Sequence, residues 1–431
     1  MKTKTLKQVR SRLDKFLDEL LGTIGRSERS KWGAVYVEGL LSESERKTVS
    51  AICSRTPKGN SQAVHNFLHS SPWEPKSLRA TMTKMALAAL KPVEVSIIDD
   101  TGFAKQGKHS VGVARQYSGT LGKVDNCQVA VSLHWASEQA SFPMNWELYL
   151  PECWTKDPER CRKAGIPEGI TFRRKWELAL AMIDWALENS LPLGVILADH
   201  SYGIVTEFRQ GLESRKLTYS VGIDGAMLFW RHPAQRSPVP YKGPGRPPKP
   251  RYNPQEPPET AEQIAAALPD EAWQEIVYGQ GTKGALKAEF AALRVQPAHR
   301  YQWNAPEQKM VWLLFQRKPG EKQPCNYFSS NLEESISLSM LVKTTKMRWR
   351  IEIDYKMLKG EVGLDRYEGR SWNGWHHHVT LSTMAYLFLL LEQFSGDFPP
   401  ATLANYKDYD AKSDIGQDGI LSIMQKNIQT T

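Results

Sequence analysis

Between Val93 and Asp224 the hydrophobic period switches from two residues to 3.6 and back, and this order of elements constrains the fold more than any other feature. VEVSIID is a continuous buried-strand run, SVGVARQY alternates, and QVAVSLHW is a third β-rich segment. RRKWELALAMIDWALEN carries helical spacing, LGVILAD is again a strand, GIVTEFRQGLES a short helix and TYSVGID a further strand. One helix is missing from this series, because the chain then turns proline-rich. HPAQRSPVPYKGPGRPPKPRYNPQEPP holds ten of the 26 prolines and forms neither helix nor central strand, so it is an extended loop or linker. After it come a helical patch, AEQIAAALPDEAWQEI, and the β-like runs ALKAEFAALRVQPA, KMVWLLFQRK and CNYFSSN. SISLSMLVKTTKMRWRIEIDYKMLK then reads as one helix of about 25 residues and supplies the missing piece.

This order predicts an α/β fold: a ribonuclease-H-like mixed sheet with flanking helices, interrupted by a β-rich insertion. Residues 1–90 carry helical spacing (RLDKFLDELL, SQAVHNFLHSSPW) and recurrent Lys and Arg, and read as an N-terminal helical DNA-binding domain or as a helical bundle with a solvated basic face. The chain accordingly divides into 1–90, a first catalytic part at 91–225, a proline-rich linker and β insertion at 226–332, a second catalytic part at 333–395 and a tail at 396–431. No internal repeat is visible.

With 431 residues, 41% of them hydrophobic, the chain exceeds one ordinary domain. Its net charge of +9 favours a polyanion, since each phosphate contact releases condensed counterions; a merely basic protein is the alternative. Five scattered cysteines without a CxxC pair support neither a disulfide framework nor a zinc knuckle. AYLFLLL is too short to span a bilayer and the N-terminus lacks a signal-peptide core, so the expected location is the cytoplasm, with no membrane partner.

Acidic residues close two of the predicted strands, at Asp99 and Asp100 and at Asp199, and Glu352 sits on the basic final helix. Acids where strands leave a sheet are where metal-dependent phosphoryl transfer puts its ligands. Three carboxylates around one cavity need compensating cations, and two Mg²⁺ or Mn²⁺ ions would activate a water or a 3′-hydroxyl and stabilise the leaving oxygen. Singly, each acid is equally a surface turn residue. Adjacent strand residues point to opposite faces, so one of Asp99 and Asp100 faces the site; the DDT run before a turn favours Asp100. On the final helix Arg348, Glu352, Lys356 and Lys359 share a face, as a metal ligand ringed by backbone-holding cations or as solvated i,i+4 pairs.

DDTGFAKQGKHSVGVARQYSGTLGKVDNCQVAVSL and RWRIEIDYKMLKGEVGLDRYEGRSWNGWHHH resemble the DDE transposases of bacterial insertion sequences, above all the insertion sequence 701 group, related to transposases with a Y-R-E-K signature. Arg348, Glu352 and Lys359 fall at that signature's spacing, with Thr345 where the tyrosine would be. The resemblance runs from about Glu94 to Leu390 and includes the N-terminal WGAVYVEGLL. It implies a catalytic, metal-binding triad of Asp100, Asp199 and Glu352, with Arg348 and Lys359 on phosphates of the transposon end. It also implies that the β insertion belongs to the family architecture and that relatives cut the second strand through a DNA hairpin.

Lys105, Lys108, His109, Arg115 and Lys123, close in sequence to Asp100, are further candidates for DNA contact. KGPGRPPKPR, with Arg246, resembles an AT-hook that lays an arginine in a narrow minor groove, or is a basic proline linker. His376, His377 and His378 diverge by roughly 100° each on a helix and cannot share one ion, so they read as a polar cluster at a helix entry. Trp349, Trp372 and Trp375 lie near the glutamate helix, as stacking platforms for unpaired bases or as core. The combined reading is a DNA transposase that cuts the terminal inverted repeats of its own element and joins them to target DNA, as a homodimer on synapsed double-stranded ends. A domesticated, inactive DNA-binding protein and a nuclease of the same fold without strand transfer are the alternatives.

Overall fold

A computed structural model describes residues 3–42, 46–56, 59–90, 92–234, 236–237, 243–244, 246, 251–281, 284–301 and 308–394. The chain divides into two compact units, Met1–Leu193 with Trp349–Thr431, and Gly194–Arg348.

The first unit opens with helices α1 (Thr3–Leu21), α2 (Ser27–Leu40), α3 (Val49–Arg55), α4 (Ser61–Ser70) and α5 (Pro75–Ala89). Along α1, Val9, Leu13, Phe16, Leu17 and Leu20 are buried, the stripe that helical spacing predicts. Side-chain caps start the later helices: Thr48 accepts from Ala51 N, Asn60 from Ala63 N, and Glu74 precedes Pro75 at the first turn of α5. These helices pack on the C-terminal helix Trp372–Phe394, which touches α2, α4 and α5 and is buried almost all round. An apolar helix of that kind must be enclosed by its own protein or by lipid, and here α1, α2, α4 and α5 pack around it together with the strand Ser141–Leu148. Phe16 meets Phe388 at 5.4 Å, and Arg12 grips Glu392 with two bonds of 2.7 and 2.6 Å.

Against this helical layer lies an antiparallel sheet of β1 (Val95–Ala104), β2 (Ala114–Ser118), β3 (Lys123–Ala136) and β4 (Ser141–Leu148). Strand β3 is long enough to carry β1 on one edge, from Val95↔Ala136 to Ala104↔Cys127, and both β2 and β4 on the other. The sequence predicts three strands here; β4 is the fourth, hidden because Pro143 and Asn145 interrupt its β-like texture. Short helices α6 (Glu152–Thr155) and α7 (Pro158–Ala164) lead to α8 (Lys175–Glu188), which packs on β3 and β4.

The second unit runs β5 (Val195–Ala198), α9 (His200–Gly203), α10 (Thr206–Ser214), β6 (Tyr219–Ile223), β7 (Leu228–Trp230), β8 (Arg236–Ser237), β9 (Arg251–Tyr252), β10 (Glu259–Thr260), α11 (Ala261–Ala266), β11 (Gln274–Gly281), β12 (Gly284–Pro297), β13 (Val311–Arg317), β14 (Asn326–Ser330) and α12 (Leu338–Lys346). Its main sheet has the order β10–β7–β12–β13–β14–β6–β5, with β11 also on β12. The sheet is mixed: β5 and β6 are parallel, the other pairs antiparallel. The strands after the proline-rich stretch therefore extend β6 edge to edge, through Tyr327↔Ile223 to Ser330↔Ser220. Helix α12 covers them, with Leu341 and Val342 in a core with Ile276, Phe290 and Leu314.

Two further elements differ from the sequence reading. The helical patch after Thr260 ends at Ala266, before Pro269, and its remainder forms a 3₁₀ turn at Asp270–Ala272 and the start of β11. The 25-residue helix is broken: α12 gives way to a 3₁₀ turn at Met347–Trp349, the glutamate helix Arg350–Met357 follows, and a π-turn closes at Val362 before Gly363, whose φ is +83°. The tail 396–431 lies outside the described residues.

Candidate active site

In the first unit, pairing fixes which way the two strand acids point. Asp99 is opposite Ser132 and Asp100 opposite Val131, so their side chains leave opposite faces of the sheet. Asp100 lies on the face covered by α8, where Lys175 Nζ donates to its Oδ2 at 2.9 Å. Asp99 lies on the face covered by the glutamate helix, and its own Oδ1 accepts from Asp100 N at 2.8 Å. The sequence expects Asp100 to face the glutamate and Asp99 to turn away; the register separates the two as expected but gives the glutamate helix the Asp99 face.

The glutamate helix is held to that face at two points. Tyr355 OH shares a 2.6 Å hydrogen bond with Ser132 Oγ, beside Asp99. Burial, and then the charge of Asp99, push the Tyr355 phenol well above its ordinary pKa, so it stays protonated. One turn on, Lys359 Nζ donates to Gly102 O at 2.9 Å and lies 5.2 Å from the Phe103 ring centre. Burial pushes the Lys359 ammonium down to about 8. Glu352 and Lys356, one turn apart, are exposed on this helix.

In the second unit, Asp199 follows β5 and caps α9. Its Oδ1 accepts from Ser201 N at 3.0 Å and from Ser201 Oγ at 2.6 Å. Two glycines let this turn sit against β6. A Cβ on Gly222 would stand 2.9 Å from His200 N, and one on Gly203 would overlap Gly222 O. Sequence reasoning passes over both glycines, because the D-x-x-x-G spacing of Asp199 and Gly203 carries no fixed signal. Thr345 is buried, with Oγ1 2.6 Å from Ser220 Oγ and donating to Leu341 O, so this position faces the core of the unit. Arg348 is the last residue of this unit, in the 3₁₀ turn. Arg246 is exposed, while most of the KGPGRPPKPR motif lies outside the described residues.

The remaining predicted cations divide by burial. Lys105 donates to Tyr367 O at 2.5 Å and burial lowers its pKa, which makes it a tie between loops. Lys108 and Arg115 are exposed, and Lys123 is exposed in a surface pair with Asp125 at 3.0 Å. The three histidines diverge to different partners, and they are buried rather than set at a solvated helix entry. His376 faces Arg79, His377 lies between Leu68 O and Trp73 O and stacks on Trp73 at 4.0 Å, and His378 bonds Tyr36 OH and Leu364 O. Burial lowers the pKa of all three. Trp375 is buried core; Trp372 lines a cavity of about 580 Å³ with Trp73 and His376.

Sequence reading misses Lys175, Ser132, His134, Asp354 and Tyr355. Asp354 is fully buried and accepts from Ser141 Oγ, Tyr386 OH and His134. An acid at i+2 from Glu352 looks like one more surface charge, and only the three-dimensional partners reveal it. All candidate ligands, Asp99, Asp100, Asp199 and Glu352, are carboxylates, the hard oxygen donors that Mg²⁺ and Mn²⁺ select. Among the described residues no group of three or more His, Cys, Asp or Glu is gathered as a ready metal cage. Among them, too, no helix is long and apolar enough to cross a membrane.

Two comparisons bear on this arrangement. A probable transposase for insertion sequence element IS701 from Microchaete diplosiphon is 34% identical over 188 residues. That alignment covers 43% of this chain and 46% of the relative, so it spans less than half of either. The family profile described as DDE superfamily endonuclease matches residues 19–285, which takes in Asp99, Asp100 and Asp199 and stops short of the glutamate helix. With more than half of its length matched, the chain belongs to the DDE superfamily endonucleases.

Proposed function

We propose that the protein is a DNA transposase of an insertion sequence of the 701 group, cutting the terminal repeats of its element and joining them to target DNA. The observation that carries this reading is the glutamate helix seated on the acid-bearing strand β1, with Glu352 exposed and Lys359 tied to Gly102 O. In this reading the domain is ribonuclease-H-like, the strands after the proline-rich stretch are its insertion, and α1–α5 serve DNA binding. Its substrate is double-stranded DNA, with two copies of the chain on two synapsed ends.

Asp199, Glu352 and a first acid from β1, Asp100 by resemblance or Asp99 by the face it shares with the glutamate helix, would hold two Mg²⁺ or Mn²⁺ ions. Bound there, the ions supply activation of the attacking hydroxyl and charge neutralisation at the leaving oxygen. The chain's own residues do the rest. Lys175 neutralises Asp100 and must yield it for metal to bind, so Asp100 and Lys175 form an exchangeable pair. Ser201 orients the Asp199 carboxylate by binding one oxygen twice. Arg348, Lys356 and Lys359, with Lys108 and Arg115, hold phosphates, and the Lys359 bond to Gly102 O also fixes the helix register.

The Asp99 face supports a second reading of the first acid, in which Asp99 takes the part given to Asp100. Labelled terminal-repeat duplex and a target plasmid test both. Asp100→Ala, Asp199→Ala and Glu352→Ala are each expected to abolish strand cleavage in Mg²⁺ and to leave end binding within about threefold. Full cleavage by Glu352→Ala sinks the transposase reading, whereas an active Asp100→Asn with a dead Asp99→Asn moves the role to Asp99. Cleavage without joined product makes the protein a nuclease, and binding without nicking makes it an inactive DNA-binding protein.

A further inference from the structure

The two residues that follow the candidate glutamate by two and three positions begin and end one buried chain of hydrogen bonds. Asp354 has no exposed surface and receives three: Ser141 Oγ at 2.6 Å, Tyr386 OH at 2.8 Å and His134 Nδ1 at 2.6 Å. The other nitrogen of His134, Nε2, is 3.0 Å from Ser132 Oγ. Ser132 Oγ in turn bonds Tyr355 OH at 2.6 Å. The path therefore leaves the glutamate helix at Asp354, crosses two successive same-face residues of β3, and returns to the helix at Tyr355. Aromatic edges seal it: His134 stands edge-on to Trp146 at 5.6 Å and to Tyr355 at 5.4 Å.

Such a circuit costs desolvation at every member and is a poor way to gain stability alone, since apolar residues of similar volume would pack as well. What it supplies is direction. Consecutive helix residues point about 100° apart, so bonds from both Asp354 and Tyr355 to one strand fix rotation of the helix about its axis as well as its distance. Rotation is the degree of freedom that swings Glu352, and Ser132 is the strand partner of Asp99. We propose that Asp354, His134, Ser132 and Tyr355 are positioning residues that set the azimuth of Glu352 over the Asp99 face of β1. The inference rests on the reading of Glu352 as a metal ligand and extends it to four residues that touch neither DNA nor metal.

Tyr355→Phe and Ser132→Ala break the same link with little loss of volume, and Asp354→Asn strips the central charge. Each of the first two is expected to slow Mg²⁺-dependent end cleavage about tenfold and to raise the Mg²⁺ concentration for half-activity several-fold, with end-DNA affinity unchanged. The double variant is expected to be no worse than either single one, because one circuit is opened once. Hydrogen exchange of the amides of Arg350–Met357 should rise by the same factor in both single variants, and Tyr355→Phe should leave exchange in the C-terminal helix unaltered. Independent, multiplying effects, or wild-type Mg²⁺ dependence in both single variants, overturn the proposal. So does a melting-temperature loss with no change in Mg²⁺ dependence when assayed well below melting, which is what a merely structural role gives. If wild-type protein leaves end DNA uncut, the transposase reading fails instead, and the brace is still judged by exchange: unaltered protection of Arg350–Met357 in both variants ends it.

Discussion

Replacing His378 by glutamine is expected to flatten the dependence of stability on pH. His378 is buried to 1% exposure within the C-terminal helix, where Nε2 faces Leu364 O at 3.0 Å and Nδ1 faces Tyr36 OH at 2.8 Å. That pair of partners suits one neutral tautomer, with Nε2–H donating to the carbonyl and Nδ1 accepting from the phenol. Burial is the main cause that pushes the pKa down to about 4; the Leu364 bond opposes it and the charge of Lys105 adds to it. The Tyr367 ring stacks on the imidazole at 4.9 Å. The unfolded imidazole titrates near about 6.5. A base whose folded pKa is depressed makes the unfolded state bind more protons between those values, so stability rises with pH through that window. The contribution is complete above about 6.5 and is lost as pH falls towards about 4. At pH 5 nearly every unfolded imidazole is protonated and about one folded imidazole in ten, which corresponds to about 2 kcal/mol lost relative to pH 7.5. Glutamine can accept from Tyr36 and donate to Leu364 O but does not titrate. Urea unfolding followed by tryptophan fluorescence, for both proteins at pH 7.5 and 5.0, measures the difference. His378→Gln is expected to start less stable at pH 7.5 and to lose about 2 kcal/mol less on acidification than wild type. Parallel losses refute the buried neutral histidine.

His377, driven by burial to about 4, carries the same sign, so a His377→Gln, His378→Gln double variant should save about 4 kcal/mol over the same interval in the same urea series. Gly203→Ala would force the Asp199 turn away from Gly222 O, and is expected to cost about 2–4 kcal/mol in urea and to remove end cleavage with it. Arg79→Met strands four neutral acceptors, at Thr380, Asn145, Trp146 O and His376, and should lower stability by about 3–5 kcal/mol, read as a drop in melting temperature. Lys359 is charged below about 8 and neutral above it, so wild-type affinity for end DNA should fall several-fold from pH 7 to 9, and Lys359→Arg should hold its affinity across that range.

The fold was legible wherever side-chain period and backbone agree. VEVSIID, TYSVGID and KMVWLLFQRK are strands because β-branched and aromatic residues follow one another without a breaker, and all three lie in sheets. SFPMNWEL is as buried as any of them, yet Pro143 and Asn145 disguise it, since position on β3 outweighs local propensity. The N-terminal helices were legible as helices but not as neighbours of Trp372–Phe394. Contact between α1 and a helix some 370 residues later depends on pairings such as Arg12 with Glu392, which no local pattern announces. The broken helix around Met347 was invisible for a different reason: 3₁₀, α and π turns accept the same residues.

At the candidate site, residue types were legible and directions were not. A two-residue period says that Asp99 and Asp100 diverge; it cannot say which layer covers which face, because that depends on whether α8 or the glutamate helix is packed there. The structure answers through partners of opposite kind. Asp100 meets a cation, Lys175 at 2.9 Å, while Asp99 lies on the side of hydroxyls, Ser132 and Tyr355. An acid beside a lysine has its charge already balanced, and metal must displace that lysine to reach it. The side chains of Lys175 and Asp100 are 31% and 15% exposed, so solvent screens the pair only in part and Lys175 competes with metal for Asp100. Lys175→Met therefore separates the two readings of the first acid. If Asp100 is the ligand, the variant should reach half-activity at lower Mg²⁺ than wild type. If Asp99 is, removing Lys175 should leave the Mg²⁺ dependence where it was.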